Sequence, residues 1–151
     1  MGDLLQPWHL FVLVFFFLFP LFLIPKIFYL LTLQKALSKC AAASRTMEPG
    51  LVWLLLVPVF NLVWHFFVVM GLAKSLKNEF AKRRIFSPEE APAQPIGLAM
   101  CICACCSIIP LLGFLAALAH LVLWIMYWVK VAEYSRLLEE QQVVIQAMPT
   151  A

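Results

Sequence analysis

Charge is scarce in this chain. Only 13% of its 151 residues are Asp, Glu, Lys or Arg, and none of them falls between Leu4 and Pro25, between Pro49 and Ala73, or between Ala91 and Val129. Glycine is scarce too, five in all, and the sequence has no glycine-rich phosphate loop and no HExxH motif. With no Asp or Glu in the apolar blocks there is no carboxylate pair for general acid and base work, and Ser107 has no local base to activate it. These gaps point away from an enzyme, with no catalytic residue to name. An ion pathway would also want embedded charge, which counts against a pump or a proton-coupled carrier.

Apolar residues are abundant. At 64% hydrophobic, a chain of this length has more apolar surface than one small globule can hide, so lipid is expected to cover the excess. The three charge-free stretches are then the embedded blocks. Most Lys and Arg sit between them, in 26–48 and 74–90, with Lys130 and Arg136 after the last. The net charge of +3 belongs to these juxtamembrane segments and gives no indication of nucleic acid. The start MGDLLQPW lacks a basic region and no A-x-A site follows, so the first helix is expected to remain in the mature chain. Gln6 occupies the position where myristoylation wants Ser or Thr.

The first block, Trp8 to Pro25, is about 27 Å long as a helix, enough to span a bilayer core. Trp8 and the neighbouring His9 mark one interface and Lys26 snorkels at the other, with bends predicted at Pro20 and Pro25. The aromatic face of Phe11, Phe15 to Phe17, Phe19 and Phe22 meets lipid or a partner. From Ile27 to Ala43 the pattern turns amphipathic, which suits a helix lying along the headgroups. Thr46, Glu48 and Pro49 form a helix start.

The last block divides into two arms, Pro95 to Ile109 and Phe114 to Val129, joined by PLLG from Pro110 to Gly113, a helical hairpin. The middle block has a parallel in "LLLVPVFNL", where Pro58 and Asn61 stand where "SIIPLLGFL" has Pro110 and Gly113, so an imperfect repeat of two hairpins is plausible. Charge favours this threading. If residues 50–72 crossed once, the basic segments on either side would lie on opposite faces, against the positive-inside rule; a re-entrant turn at Pro58 to Asn61 puts them on one face. The short arm before the turn, about 14 Å, would have to be covered by other helices. A single kinked span is the alternative. Lys74 to Arg84 should continue as a basic helix, able to pair with Glu133, Glu139 and Glu140, or to end freely in solvent. "SPEEAPAQP" reads as a proline-rich linker and residues 139–151 as a loose tail.

Few residues are candidates for chemistry. On a helix, Cys101 and Cys105 of "CICACC" point to one side and Cys103 and Cys106 to another, so small residues for helix packing are favoured over a metal site. The five cysteines give no disulfide framework. Asn61 and His65 share a helical face, and with His120 they are the intramembrane polar candidates, expected to hydrogen-bond between helices. His65 and His120 are also possible ligands of a haem, as in small membrane cytochromes.

The segment "MEPGLVWLLLVPVFNLVWHFFVVMGLAKSL", with its P-G, W and P-x-x-N-L, resembles the core of small polytopic integral membrane protein families of bacteria with no assigned role, and "IMYWVKVAEYSRLL" resembles their last helix. That likeness covers about half the chain. It implies a helical protein of the bacterial inner membrane, with no catalytic residue to carry over. The resulting expectation is an all-α polytopic membrane protein with an N-terminal span, a short or re-entrant hairpin and a C-terminal hairpin, its C-terminus cytoplasmic. Its function is expected to be that of a non-enzymatic structural or scaffold subunit, in contact with the lipid bilayer and with a membrane-protein partner or a second copy. A small pore or transporter, or a haem-binding redox subunit, is the alternative. No bound cofactor or metal is otherwise expected.

Overall fold

The computed structural model describes residues 7–87, 89–110 and 112–147, without the side chains at 7, 10, 11, 14–20, 22, 145 and 146. Among these residues there are five helices and no strand: α1 (Pro7–Lys39), a 3₁₀ helix (Pro49–Leu56), α2 (Phe60–Arg83), α3 (Gln94–Cys106) and α4 (Gly113–Ala147). The all-helical class read from the sequence is therefore the observed one.

In place of a span ending near Pro25 and a separate surface helix over 27–43, α1 is one unbroken helix. It passes through Pro25, which has no N–H to offer the Leu21 carbonyl one turn back. The amphipathic stripe faces protein and not headgroups: Tyr29, Leu30, Leu33, Ala36, Leu37 and Cys40 are buried, while Phe28, Leu31, Lys35 and Ser38 are exposed. Its three- and four-residue spacing lays it against the 3₁₀ helix, α2 and α4. The aromatic face expected at Phe11, Phe15, Phe16, Phe17, Phe19 and Phe22 lies outside the described side chains.

Residues 49–72 do not form one straight helix. Trp64 Nε1 donates to the Leu51 carbonyl at 2.9 Å, and Thr46 Oγ1 to the Gly71 carbonyl at 2.8 Å, so the 3₁₀ helix runs back antiparallel along α2. The reversal is tight. Pro58 holds Val57 extended at ψ 115°. The next residue then completes the turn: the Phe60 amide donates to the Pro58 carbonyl at 2.7 Å around Val59, at φ 64° and ψ −54°. This is the strained γ-turn, carried by a β-branched residue that rarely takes positive φ. Asn61, expected to accept the turn conformation, is instead the second residue of α2.

The C-terminal pair is also a hairpin. His120 Nδ1 lies 3.0 Å from the Met100 carbonyl, and an oxygen there can only accept, so this nitrogen carries the hydrogen. A Cβ on Gly97 would lie 2.5 Å from Val69 Cγ1 and 2.8 Å from Tyr127 Cε2; only glycine lets α3 sit this close to both α2 and α4. Gly113 serves the turn by close approach, since a Cβ there would meet the Ser107 carbonyl at 2.6 Å, and among the described residues no glycine has positive φ. Helix α4 continues to Ala147 across residues expected to be loose, because Leu138 is buried and Glu139 is held by α1. Gly113–Val144 is long and apolar enough to cross a membrane, with only 11% of its most apolar stretch buried; among the described residues it alone meets that measure.

The ends of α1 and α2 meet the C-terminal half of α4 in a polar clasp. Glu79, 1% exposed, accepts from Arg83 Nε at 2.6 Å and from the Ala41 amide at 3.0 Å. Arg83 also donates to the Lys39 carbonyl at 3.0 Å and the Leu138 carbonyl at 3.1 Å. Lys39 donates to the Ser135 carbonyl at 2.9 Å and pairs with Glu139 at 2.5 Å, and Lys35 stands 3.7 Å from Glu139. The acidic residue on α4 thus pairs with α1, not with the basic stretch of α2, which reaches α4 through a backbone carbonyl. Lys130 pairs with Glu89, whose carboxylate also accepts from the Ala93 amide at 2.8 Å.

Burial pushes the Glu79 carboxyl up, but hydrogen bonds from Ser44, the Ala41 amide and Arg83, with the guanidinium charge, outweigh it and hold it below its ordinary 4.5. A carboxyl with a lowered folded-state pKa stabilises the fold fully above about pH 4.5, and that contribution fades as acid titrates the folded group. Glu79→Gln should therefore lower stability by about 3 kcal/mol at neutral pH, since it strands a partly desolvated guanidinium. Thermal unfolding in detergent micelles should give the variant a lower midpoint at pH 7 and a smaller further loss on acidification than the parent; equal midpoints at pH 7 would rule out the clasp as a stabilising element.

Candidate functional site

The two hairpins open toward the clasp and turn at residues 57–59 and after Ser107, at the other end of the bundle. There they leave a cavity of about 490 Å³ against the middle of α1. Leu21, Pro25 and Lys26 line it from α1, Asn61, Leu62 and His65 from α2, Cys101 and Ala104 from α3, Ser107 from the connection, and His120, Leu121 and Trp124 from α4. Asn61 and His65, one turn apart on α2, thus share one cavity with His120, which is far from them in sequence. Pro58, Pro110 and Gly113 shape the turns beside it and are not among its lining residues.

Each histidine is tied to a neighbouring element. The Tyr29 hydroxyl lies 2.8 Å from His65 Nε2, joining α1 to α2 inside the bundle. Tyr29 is fully buried and its ring meets His65 edge-on at 5.9 Å, with Trp124 at 5.3 Å, Trp128 at 6.2 Å and Tyr127 at 6.3 Å. This aromatic cluster separates the cavity from the clasp. Trp128 Nε1 is in turn satisfied by Thr32 Oγ1 at 2.8 Å. With His65 Nε2 held by Tyr29 and His120 Nδ1 by Met100, ligation of a haem by both rings would require breaking the Tyr29 contact or leaving only the second nitrogen of each ring. Hydrogen bonding between elements is the role the geometry supports.

Two other lining groups lack such ties. Asn61 makes no side-chain hydrogen bond to a described residue, and its Oδ1 is buried without a partner. Lys26 takes part in none of the ion pairs among the described residues. Of the cysteine run, Cys101 is buried and lines the cavity, whereas Cys105 is exposed; all five cysteines are free thiols.

Three contributors were missed by the sequence reading. Lys26 was placed at the end of a span because it follows Pro25, yet the helix continues past it, and the apolar stripe from Tyr29 onward in register was the available signal. Tyr29 had no mark distinguishing it from an interfacial tyrosine. Glu79 sits in a basic stretch that reads as solvated. Comparison with family models, curated proteins and solved structures finds no match for this chain.

Removing the Tyr29 hydroxyl leaves His65 without its partner. Tyr29→Phe should reduce stability by about 1 kcal/mol, the usual size of one buried hydrogen bond. A double-mutant cycle with His65→Leu, followed by thermal unfolding, reads the coupling; strictly additive effects would show that the contact contributes nothing.

Proposed function

We propose that this chain is a non-enzymatic polytopic protein of the bacterial inner membrane, a structural or scaffold subunit with its clasp end in the cytoplasm. The observation that carries the reading is the outer face of α4. Phe114, Leu115, Leu118, Leu121, Val122, Ile125, Met126 and Val129 are all exposed and lie between the hairpin tip and the charged clasp. Such a face needs lipid or protein to cover it. The clasp gathers Lys35, Lys39, Arg83 and Lys130 at one end of the bundle, as cytoplasmic sidedness requires. From the tip to Lys130, α4 runs about 26 Å, somewhat less than the hydrocarbon core. The hairpins therefore enter from the cytoplasmic face and turn within the bilayer, covered there by one another and by α1. N-terminal of Leu21, α1 continues for about 20 Å to Pro7 and completes the crossing alone.

Sidedness is tested with single cysteine reporters in a chain whose native cysteines are replaced by alanine. Lys82→Cys and Arg136→Cys should react with a membrane-impermeant thiol reagent from the cytoplasmic face only. Val59→Cys, at the hairpin tip, should react from neither face; labelling of Lys82→Cys and Arg136→Cys from opposite faces would sink the threading. For the scaffold role, a photocrosslinking residue at Leu118 or Ile125 should capture a second membrane protein or a second copy. Extraction in mild detergent as a lone monomer, with no crosslinked product in native membranes, would assign that face to lipid and remove the scaffold reading.

The cavity favours a second reading, a small pore or transporter. That reading predicts solute flux in proteoliposomes that Asn61→Ala or His65→Ala reduces, and inert liposomes would count against it.

A further inference from the structure

We propose that the cavity at the hairpin tips binds an anionic amphiphile from the membrane, one whose head carries both an acid and a hydroxyl. The site rests on the membrane reading above but not on the scaffold role. Its volume of about 490 Å³ is within the range of small-molecule sites. Leu21, Pro25, Leu62, Ala104, Leu121 and Trp124 supply apolar walls for a hydrocarbon body, and the polar groups that fix a head are few.

Lys26 determines the sign of that head. An ammonium beside apolar walls is costly without a counter-charge, and no carboxylate of the described residues supplies one. All the other partly buried cations with a named contact in the bundle, Lys39, Arg45, Arg83 and Lys130, have an acidic partner or a backbone carbonyl, so Lys26 departs from the pattern of this fold. Asn61 is the second departure, a polar side chain with no hydrogen bond to a described residue, placed on the same cavity and with its oxygen buried. A phosphate or carboxylate on Lys26 neutralises the ammonium. A hydroxyl on the same head gives its hydrogen to Asn61 Oδ1. Ser107 and His120 line the same cavity and can complete the ring of contacts. Phosphatidylglycerol has this chemistry; phosphatidylcholine, whose zwitterionic head sets a quaternary ammonium beside its phosphate and has no hydroxyl, does not.

The full chain is reconstituted in vesicles of equal parts phosphatidylglycerol and phosphatidylcholine, extracted in mild detergent and examined by native mass spectrometry. One phosphatidylglycerol should be retained in preference to phosphatidylcholine, and Lys26→Gln should lower that preference about tenfold, the size of one lost charge-assisted contact. Lys35→Gln, at an exposed residue away from the cavity, should leave it intact. Asn61→Asp places a carboxylate on the cavity, and should abolish the preference even if Lys26→Gln fails to fold. Equal retention of both lipids by the parent chain, or a preference unchanged in Asn61→Asp, overturns the proposal. Binding of inorganic phosphate with no lipid retained also overturns it, since the site would then take a free anion. A chain that fails to insert into vesicles overturns the membrane reading itself, whereas one that inserts without lipid preference overturns only this site.

Discussion

One guanidinium ties three helices together. Arg83 reaches Glu79 one turn back on its own helix, the last carbonyl of α1 at Lys39, and the Leu138 carbonyl on α4. A planar fork with five donors can serve three acceptors in fixed directions, which a lysine ammonium on a flexible stem does less well. The acceptors include the helix-end carbonyl at Lys39, which no intrahelical N–H can satisfy, so the contact is structural as well as electrostatic. Glu79 is the counter-charge that makes burial of this network tolerable, and its second oxygen takes the Ala41 amide just beyond the end of α1. The clasp fixes how the helices leave the charged end, and therefore how their other ends diverge.

Away from the clasp, cohesion passes to shape. Gly97 allows α3 to settle between Val69 and Tyr127, and Tyr29 fills the centre, ringed by Trp124, Tyr127 and Trp128. Polar atoms in this region are mostly satisfied between elements: Tyr29 with His65, Trp53 with Gln34 at 2.8 Å, and Trp128 with Thr32. Packing then stops short of the tips. The hairpins reverse there through a strained γ-turn at Val59 and a close approach of Gly113 to Ser107, leaving the cavity between them. The tightest polar bonding and the open space thus lie at opposite ends of the bundle.

Charge spacing and turn formers together made much of this legible beforehand. The apolar, charge-poor composition pointed to an all-helical chain, Pro58 and Pro110 marked two reversals, and Asn61, His65 and His120 stood out as polar residues in apolar surroundings. The break placed at Pro25 was wrong because proline removes one hydrogen bond without having to end a helix whose flanks are held by neighbours. The tail expected to be loose from residue 139 is helical to Ala147, fastened by Leu138 and Glu139 to Arg83 and Lys39, partners far away in sequence.

The sequence by itself determined helicity, the hairpin positions and the separation of cations from apolar surface, since these depend on local periodicity, on proline and glycine, and on composition. Only the tertiary structure decided that the amphipathic half of α1 faces protein, that Val59 and not Asn61 takes the strained conformation, and that Lys26, Asn61, His65 and His120 border one cavity. Those outcomes depend on distances between segments far apart in the chain, set jointly by the clasp and by side-chain volume, and no local pattern encodes them.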